Sequence, residues 1–178
     1  MFISGGIAFL LIFLLLLNHF TSLFITAQIL ISIPLAVIGS MFAIYLTNNT
    51  VSIASLVAFI ALCGIATRNG ILMISHYLHL MSEEKESFSF EMIRRATLER
   101  LVPVLMTTLS AMLGLLPLLF AAEAPGKEIL YPVAVVIVGG LFSSTLLDMW
   151  VTPAVFYKWG RKSAEQYVLT KKNNQEIL

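Results

Sequence analysis

The sequence predicts an all-α membrane protein: about five transmembrane helices, plus one short amphipathic helix on the cytoplasmic side. Three observations carry this expectation. First, 58% of the 178 residues are hydrophobic and only 12% are charged, whereas a soluble domain has roughly 45–50% apolar and about 25% charged residues. Second, the apolar residues fall in long blocks, and about 20 such residues suffice to cross a bilayer. Third, the basic residues concentrate in alternate connections. The blocks show none of the two-residue alternation that barrel strands require, so helices satisfy the backbone in lipid.

The expected spans are about 2–17, 23–46, 51–80, 102–122 and 129–156, within a transmembrane domain covering 1–160. The opening "MFISGGIAFLLIFLLLLNHF" lacks a basic leader and a convincing small-x-small cleavage site. It reads as a span rather than a signal peptide. The second block holds Pro34 and Gly39, the fourth Pro103 and Pro117, and the fifth Gly139–Gly140. Such residues are tolerated in membrane helices, and small ones let helices approach closely. "GIA" (Gly64–Ala66) and "GGLFSST" (Gly139–Thr145) are the two small-residue surfaces.

Residues 82–101 form the one substantial polar connection. Phe90, Ile93, Thr97, Leu98 and Leu101 recur at roughly helical spacing, with charges on the other face. Ser87 or Ser89 is placed to cap this helix, with Glu91 early and arginines later, as the helix dipole favours. The alternative is a solvated loop with a helical end. The tail, 163–178, is polar and is expected to fray.

Orientation follows from the basic residues. Lys85, Arg94, Arg95 and Arg100 lie between the third and fourth blocks. Lys158, Arg161, Lys162, Lys171 and Lys172 follow the fifth, so nine of the eleven basic residues fall on one side of a five-span arrangement. The positive-inside rule makes that side cytoplasmic and leaves the N-terminus periplasmic.

The net charge of +1 gives no footprint for nucleic acid. The single cysteine, Cys63, has no internal disulfide partner, and no Cys/His zinc spacing occurs. Walker A, GxSxG, HExxH and dinucleotide-loop motifs are all absent. The chain is therefore expected not to be an enzyme and to carry no cofactor.

Two ionisable residues sit deep in apolar blocks: Arg68 and Asp148. Each costs a few kcal/mol at mid-membrane, on the order of 2.5–3.5, unless it finds partners. Both lie about 25 Å from the outer end of their spans. Matching depth permits an Arg68–Asp148 ion pair, with Asn69 available to bond a neighbouring helix. This polar group serves either ion or proton coupling, or structure alone, with Arg68 snorkelling to the interface. If the pair forms, Asp148→Asn is expected to cost about 3–5 kcal/mol. His76 and His79 share a helix face and are metal-ligand candidates only if further ligands join them; interfacial polar residues are the alternative.

Four stretches narrow the assignment: "SIPLAVIGS" (Ser32–Ser40), "SIASLVAFIALCGIATRNGILMISHY" (Ser52–Tyr77), "ERLVPVLMTTLSAMLGLLPL" (Glu99–Leu118) and "PGKEILYPVAVVIVGGLFSSTLLDMWVTPAVF" (Pro125–Phe156). In this order they resemble the C-terminal membrane part of heavy-metal efflux pumps. These pumps form the cobalt–zinc–cadmium (Czc-type) branch of the resistance–nodulation–division superfamily. The resemblance implies metal cation/proton antiport by a multi-pass inner-membrane protein. In the family the subunit has twelve spans, two large periplasmic regions and a trimeric assembly. It works with a periplasmic adaptor and an outer-membrane channel.

This chain would match the eighth to twelfth spans. The family's main relay carboxylates lie in the fourth span, and its metal-binding regions are periplasmic; neither has a counterpart here. The copper/silver branch carries glutamate where Arg68 stands and lysine where Val104 stands, whereas "RNG" resembles the Czc-type form. The expectation is a partial pump subunit. Its rivals are a non-transporting remnant or accessory membrane protein, or one half of a split two-chain pump.

Overall fold

The structure is a computed structural model that describes residues 2–20, 22–47, 51–120 and 129–176. The described residues form six helices: α1 (Phe2–Phe20), α2 (Leu23–Leu46), α3 (Ile53–Ser82), α4 (Phe90–Leu119), α5 (Leu130–Trp159) and α6 (Arg161–Glu176). Among the described residues no strand is present. Helices α2 to α5 are each long and apolar enough to cross a membrane. In α1 the described apolar stretch is Leu10–Phe20.

Side-chain oxygens set two of the helix starts. Ser52 Oγ accepts from the Ser55 amide at 3.2 Å, and Ser55 Oγ accepts from the Ser52 amide at 3.4 Å. This reciprocal box satisfies two donors that the first turn leaves free. Of the two cap candidates before α4, Ser89 takes the role, accepting from the Met92 amide at 3.1 Å. The amphipathic stretch that follows is helical and runs without a break into the fourth apolar segment. Pro103 removes one amide donor there, but α4 continues through it.

Helix α5 is the hub, packed against α2, α3, α4 and α6, and its longest seam is with α2. Lipid chains are as apolar as leucine, so close packing and interhelical hydrogen bonds must hold such a seam. Ser40 Oγ donates to the Val136 carbonyl at 2.9 Å, Ser143 Oγ to Leu35 at 3.2 Å, and Gln28 Nε2 to Thr152 at 2.8 Å. Glycine permits this proximity. A Cβ on Gly39 would lie 2.0 Å from Ser143 Cβ, and one on Gly139 would lie 2.3 Å from Ala43 Cβ. Of the two small-residue surfaces, "GGLFSST" thus builds the seam, whereas Gly64 of "GIA" meets nothing within 4 Å.

The bundle has three apolar clusters along its length. One joins Phe20, Ile25, Ile74, Tyr77, Ile93 and Phe156 where α1, α3 and α5 end. A middle cluster centres on Leu62 and Leu141, and the third on Ile44, Ala58 and Val136. The tail departs from expectation. Instead of fraying, residues 161–176 form α6, and Ala164 joins the first cluster with Tyr167 and Val168 packed against it. The polar composition hides this i, i+3, i+4 apolar stripe, which is long enough to hold a helix on the bundle.

Lys171 fastens α6 to the end of α3 through an ion pair with Glu83. The ammonium donates to the carboxylate and holds Glu83 below the usual carboxylate range, while Glu83 raises Lys171. A depressed carboxylate contributes stability above its unfolded pKa and loses it as pH falls through the folded pKa. Amide exchange in α6 is therefore expected to accelerate, beyond the intrinsic pH effect, as Glu83 protonates. Lys171→Ala should exchange faster at neutral pH and lose that acid-induced step. An acid step identical in both proteins would show that the pair does not anchor α6.

Candidate functional site in the membrane-embedded bundle

Arg68 and Asp148 take opposite environments. Successive helical residues are turned by about 100°. On α3 this places Gly64, Arg68 and Leu72, one per turn, on an exposed face, while Asn69 turns inward and is buried. On α5, Asp148 faces inward and is only 7% exposed. Among the described residues no ion pair joins Arg68 to Asp148. Matching depth permitted the pair; the direction in which each side chain leaves its helix does not form it.

The inward group lies on the α2–α5 seam. Ser144 Oγ donates to Asp148 Oδ2 at 2.8 Å, one turn away on the same helix. A further turn along α5, the Thr152 carbonyl accepts from Gln28. Ser32, one turn from Gln28 on α2, is 1% exposed, and its Oγ would lie 3.2 Å from a Cβ on Gly70 of α3. Asp148 Oδ1 and Gln28 Oε1 are buried without a protein hydrogen-bond partner. Thr108 and Thr145 bridge α4 and α5 at 3.2 Å. The arrangement is a buried carboxyl group flanked by Ser144 on its own helix and Ser32 on α2, within a row of neutral polar side chains. Such a group can take up and release a proton.

Gln28 and Ser32 are uncharged residues within the second apolar block, so they do not stand out as Arg68 and Asp148 do. The signal was nevertheless in the spacing: Gln28 and Ser32 are four apart, as are Ser144, Asp148 and Thr152. Two stripes of that period on facing helices meet as one polar row.

Asp148→Asn tests the revised geometry. Asparagine keeps the shape and leaves Ser144 an oxygen to bond. With no cation paired to Asp148, the expected change in detergent thermal stability corresponds to less than about 1 kcal/mol. A loss of about 3–5 kcal/mol would be the signature of a broken buried ion pair.

His76 and His79 do share a face, with ring centroids 6.5 Å apart. His76 Nε2, however, lies 2.8 Å from Glu99 Oε2. Glu99 Oε1 in turn accepts from Arg95 Nε at 2.8 Å, and Arg95 also pairs with Glu84 and Glu86. This network ties the end of α3, the connection and α4 together. Among the described residues no group of three metal-ligating side chains assembles.

Long apolar helices joined by a small-residue seam, with a buried polar row between them, define an integral membrane bundle. The comparisons with known proteins specify which. The AcrB/AcrD/AcrF family matches residues 1–159. The cobalt-zinc-cadmium resistance protein CzcA of Cupriavidus metallidurans is 37% identical over 159 residues, which is 89% of this chain and 15% of that protein. The multidrug resistance protein MdtC of Erwinia tasmaniensis is 38% identical over 128 residues, covering 72% of this chain and 12% of its own length. The crystal structure of a heavy metal efflux pump (crystal form II) superposes with a TM-score of 0.75 at 36% identity, covering 87% of this chain and 15% of that one. The chain belongs to the AcrB/AcrD/AcrF family of resistance–nodulation–division transporters, and it spans about 15% of the length of its heavy-metal relatives.

Proposed function

We propose that the chain supplies the last five spans of a proton-driven heavy-metal cation efflux pump, with its basic side in the cytoplasm of a bacterial inner membrane. The observation that carries this reading is the exposed Arg68 on an otherwise apolar face of α3, beside Gly64, which has open space above it. An arginine facing hydrocarbon is costly, and a glycine one turn away lets another helix come close. A further part of the pump, carrying an acidic group, would cover this face and pair with Arg68. In that assembly Asp148 and its neighbours are a second candidate for proton coupling. The partners would be the remaining spans, the other subunits of a trimer, a periplasmic adaptor and an outer-membrane channel. The heavy-metal relatives and the metal-pump structure favour metal over organic substrates.

A second reading has its own support. Asp148 is the one buried acid among the described residues of the spans, whereas proton relays in pumps and transporters commonly run through chains of intramembrane acids and histidines. A non-transporting remnant or accessory protein fits this deficit.

The test begins with the DNA upstream of Met1, translated in all frames. A separate open frame encoding further spans and large periplasmic regions supports a two-chain pump. Both chains are then expressed in a metal-sensitive host, challenged with zinc, cobalt and cadmium and, as a control, an organic toxicant. Metal resistance requiring both chains, and falling at least tenfold with Arg68→Ala, is expected. Resistance indifferent to this chain would reject the transport reading.

A further inference from the structure

We propose that a trough between α4 and α5 binds an anionic phospholipid, its acyl chain lying along the trough and its phosphate held between Arg94 and Lys158. The trough has a volume of about 680 Å³ and an almost wholly apolar lining. The helices run antiparallel there, so the first turns of α4 face the last turns of α5. Pro153 and Ala154 are small enough to leave the floor open, and Ile93 and Thr97 form the opposite wall. The deep end is bounded by Leu98 and Trp150. At the shallow end Phe90 packs edge-on against Tyr157, with ring centroids 5.7 Å apart.

Of the two charges, Lys158 sits at the shallow end, and Arg94 lies one turn in from Phe90 and one turn short of Leu98, its long stem able to carry the guanidinium toward the interface. Arg94 is four residues into α4, and Lys158 is in the last turn of α5. Trp150 lies about 13 Å from the end of α5 at 1.5 Å per residue. An amphiphile matching this gradient has an anionic head and an acyl tail.

The two cations are also available. Among the described residues neither Arg94 nor Lys158 forms an ion pair, whereas neighbouring Arg95 meets three carboxylates. Lys158 Nζ lies 4.9 Å from the Trp159 ring centroid, a contact typical of an interfacial anchor. No carboxylate is among the described residues lining the trough; Glu91 and Glu99 line the adjoining hollow, which shares Arg94 and Leu98 with it, and Glu99 is already paired with His76 and Arg95. Basic pockets between membrane helices on the cytoplasmic side are suited to anionic headgroups, each cation contributing several-fold in affinity.

Trp150 lines the trough and is one of two tryptophans, so Trp159→Phe makes it the sole reporter. The full chain carrying that change is reconstituted in phosphatidylcholine bilayers doped with acyl-brominated phosphatidylglycerol or acyl-brominated phosphatidylcholine. Quenching of Trp150 is expected to show a preference for phosphatidylglycerol on the order of tenfold. Arg94→Gln with Lys158→Gln should bring the ratio close to one, and Arg94→Lys with Lys158→Arg should restore it. Both residues are exposed, so the fold should persist, and far-ultraviolet circular dichroism checks this.

Equal quenching by the two lipids, or a preference surviving the double glutamine variant, would overturn the proposal. So would full competition by inorganic phosphate, which would mark a free-anion site. Absence of quenching by either lipid would mean that protein covers the trough. None of these outcomes depends on whether the chain transports metal.

Discussion

Gly39→Val is expected to destabilise the bundle by about 3 kcal/mol, the upper end of what overpacking a tight site usually costs. The reason lies in the backbone. A Cβ at residue 39 would stand 2.0 Å from Ser143 Cβ and 2.7 Å from the Gly139 carbonyl oxygen. A short side chain and a backbone atom on α5 cannot rotate away, so the two helices must separate. Separation also stretches the Ser40–Val136 and Ser143–Leu35 bonds, which the seam needs because lipid supplies no hydrophobic drive. Thermal or detergent-driven unfolding, followed by helical circular dichroism, measures the loss. Gly64→Val is the control: its side chain meets open space, and a shift as large as that of Gly39→Val would assign the effect to helix propensity rather than to the seam.

Tyr77→Ala should cost about 3–5 kcal/mol, the range for emptying a large aromatic site. Tyr77 is 0% exposed, lies 4.8 Å from Phe156 between ring centroids, and bonds Thr97 at 2.8 Å. It therefore pins α3, α4 and α5 at one point. Tyr77→Phe keeps the ring and loses only the hydrogen bond, for a cost of about 1 kcal/mol. The ordering of these two variants in an unfolding titration is the check. Equal losses would mean that the hydroxyl, not the ring, supports the junction.

The two variants probe different physics, and the sequence announced them unequally. Gly39 and the Gly139–Gly140 pair were visible as small residues suited to close packing. Which small-residue surface was used was not visible, because Gly64 looks equally suitable in one dimension. Tyr77 carried no mark at all, since an aromatic near the end of a span can as readily be an interfacial anchor as a core residue.

The polar residues divide in the same way. Arg68 and Asp148 stand out by composition, and their depths along the spans follow from 1.5 Å per residue. Their pairing needed the angle at which each leaves its helix and the order of helices around the bundle. Pairwise depth contains neither. Arg68 therefore faces outward while Asp148 joins Ser144 beside the Gln28–Thr152 link. His76 likewise looked like half of a ligand pair until Glu99, 23 residues away, was brought within 2.8 Å.

What the sequence determined by itself is what depends on local chemistry: helices rather than strands, the lipid-compatible lengths of the blocks, and the concentration of basic residues in alternate connections. Each follows from the bilayer's demand that backbone groups be bonded within a segment and from the composition of that segment alone. The tertiary structure decided what depends on neighbours. It made α5 the hub, closed the seam on Gly39 and Gly139, folded the tail onto the first cluster as α6, and left the trough between α4 and α5 open. Those outcomes depend on side chains far apart in the chain fitting against one another, and no local pattern encodes that fit.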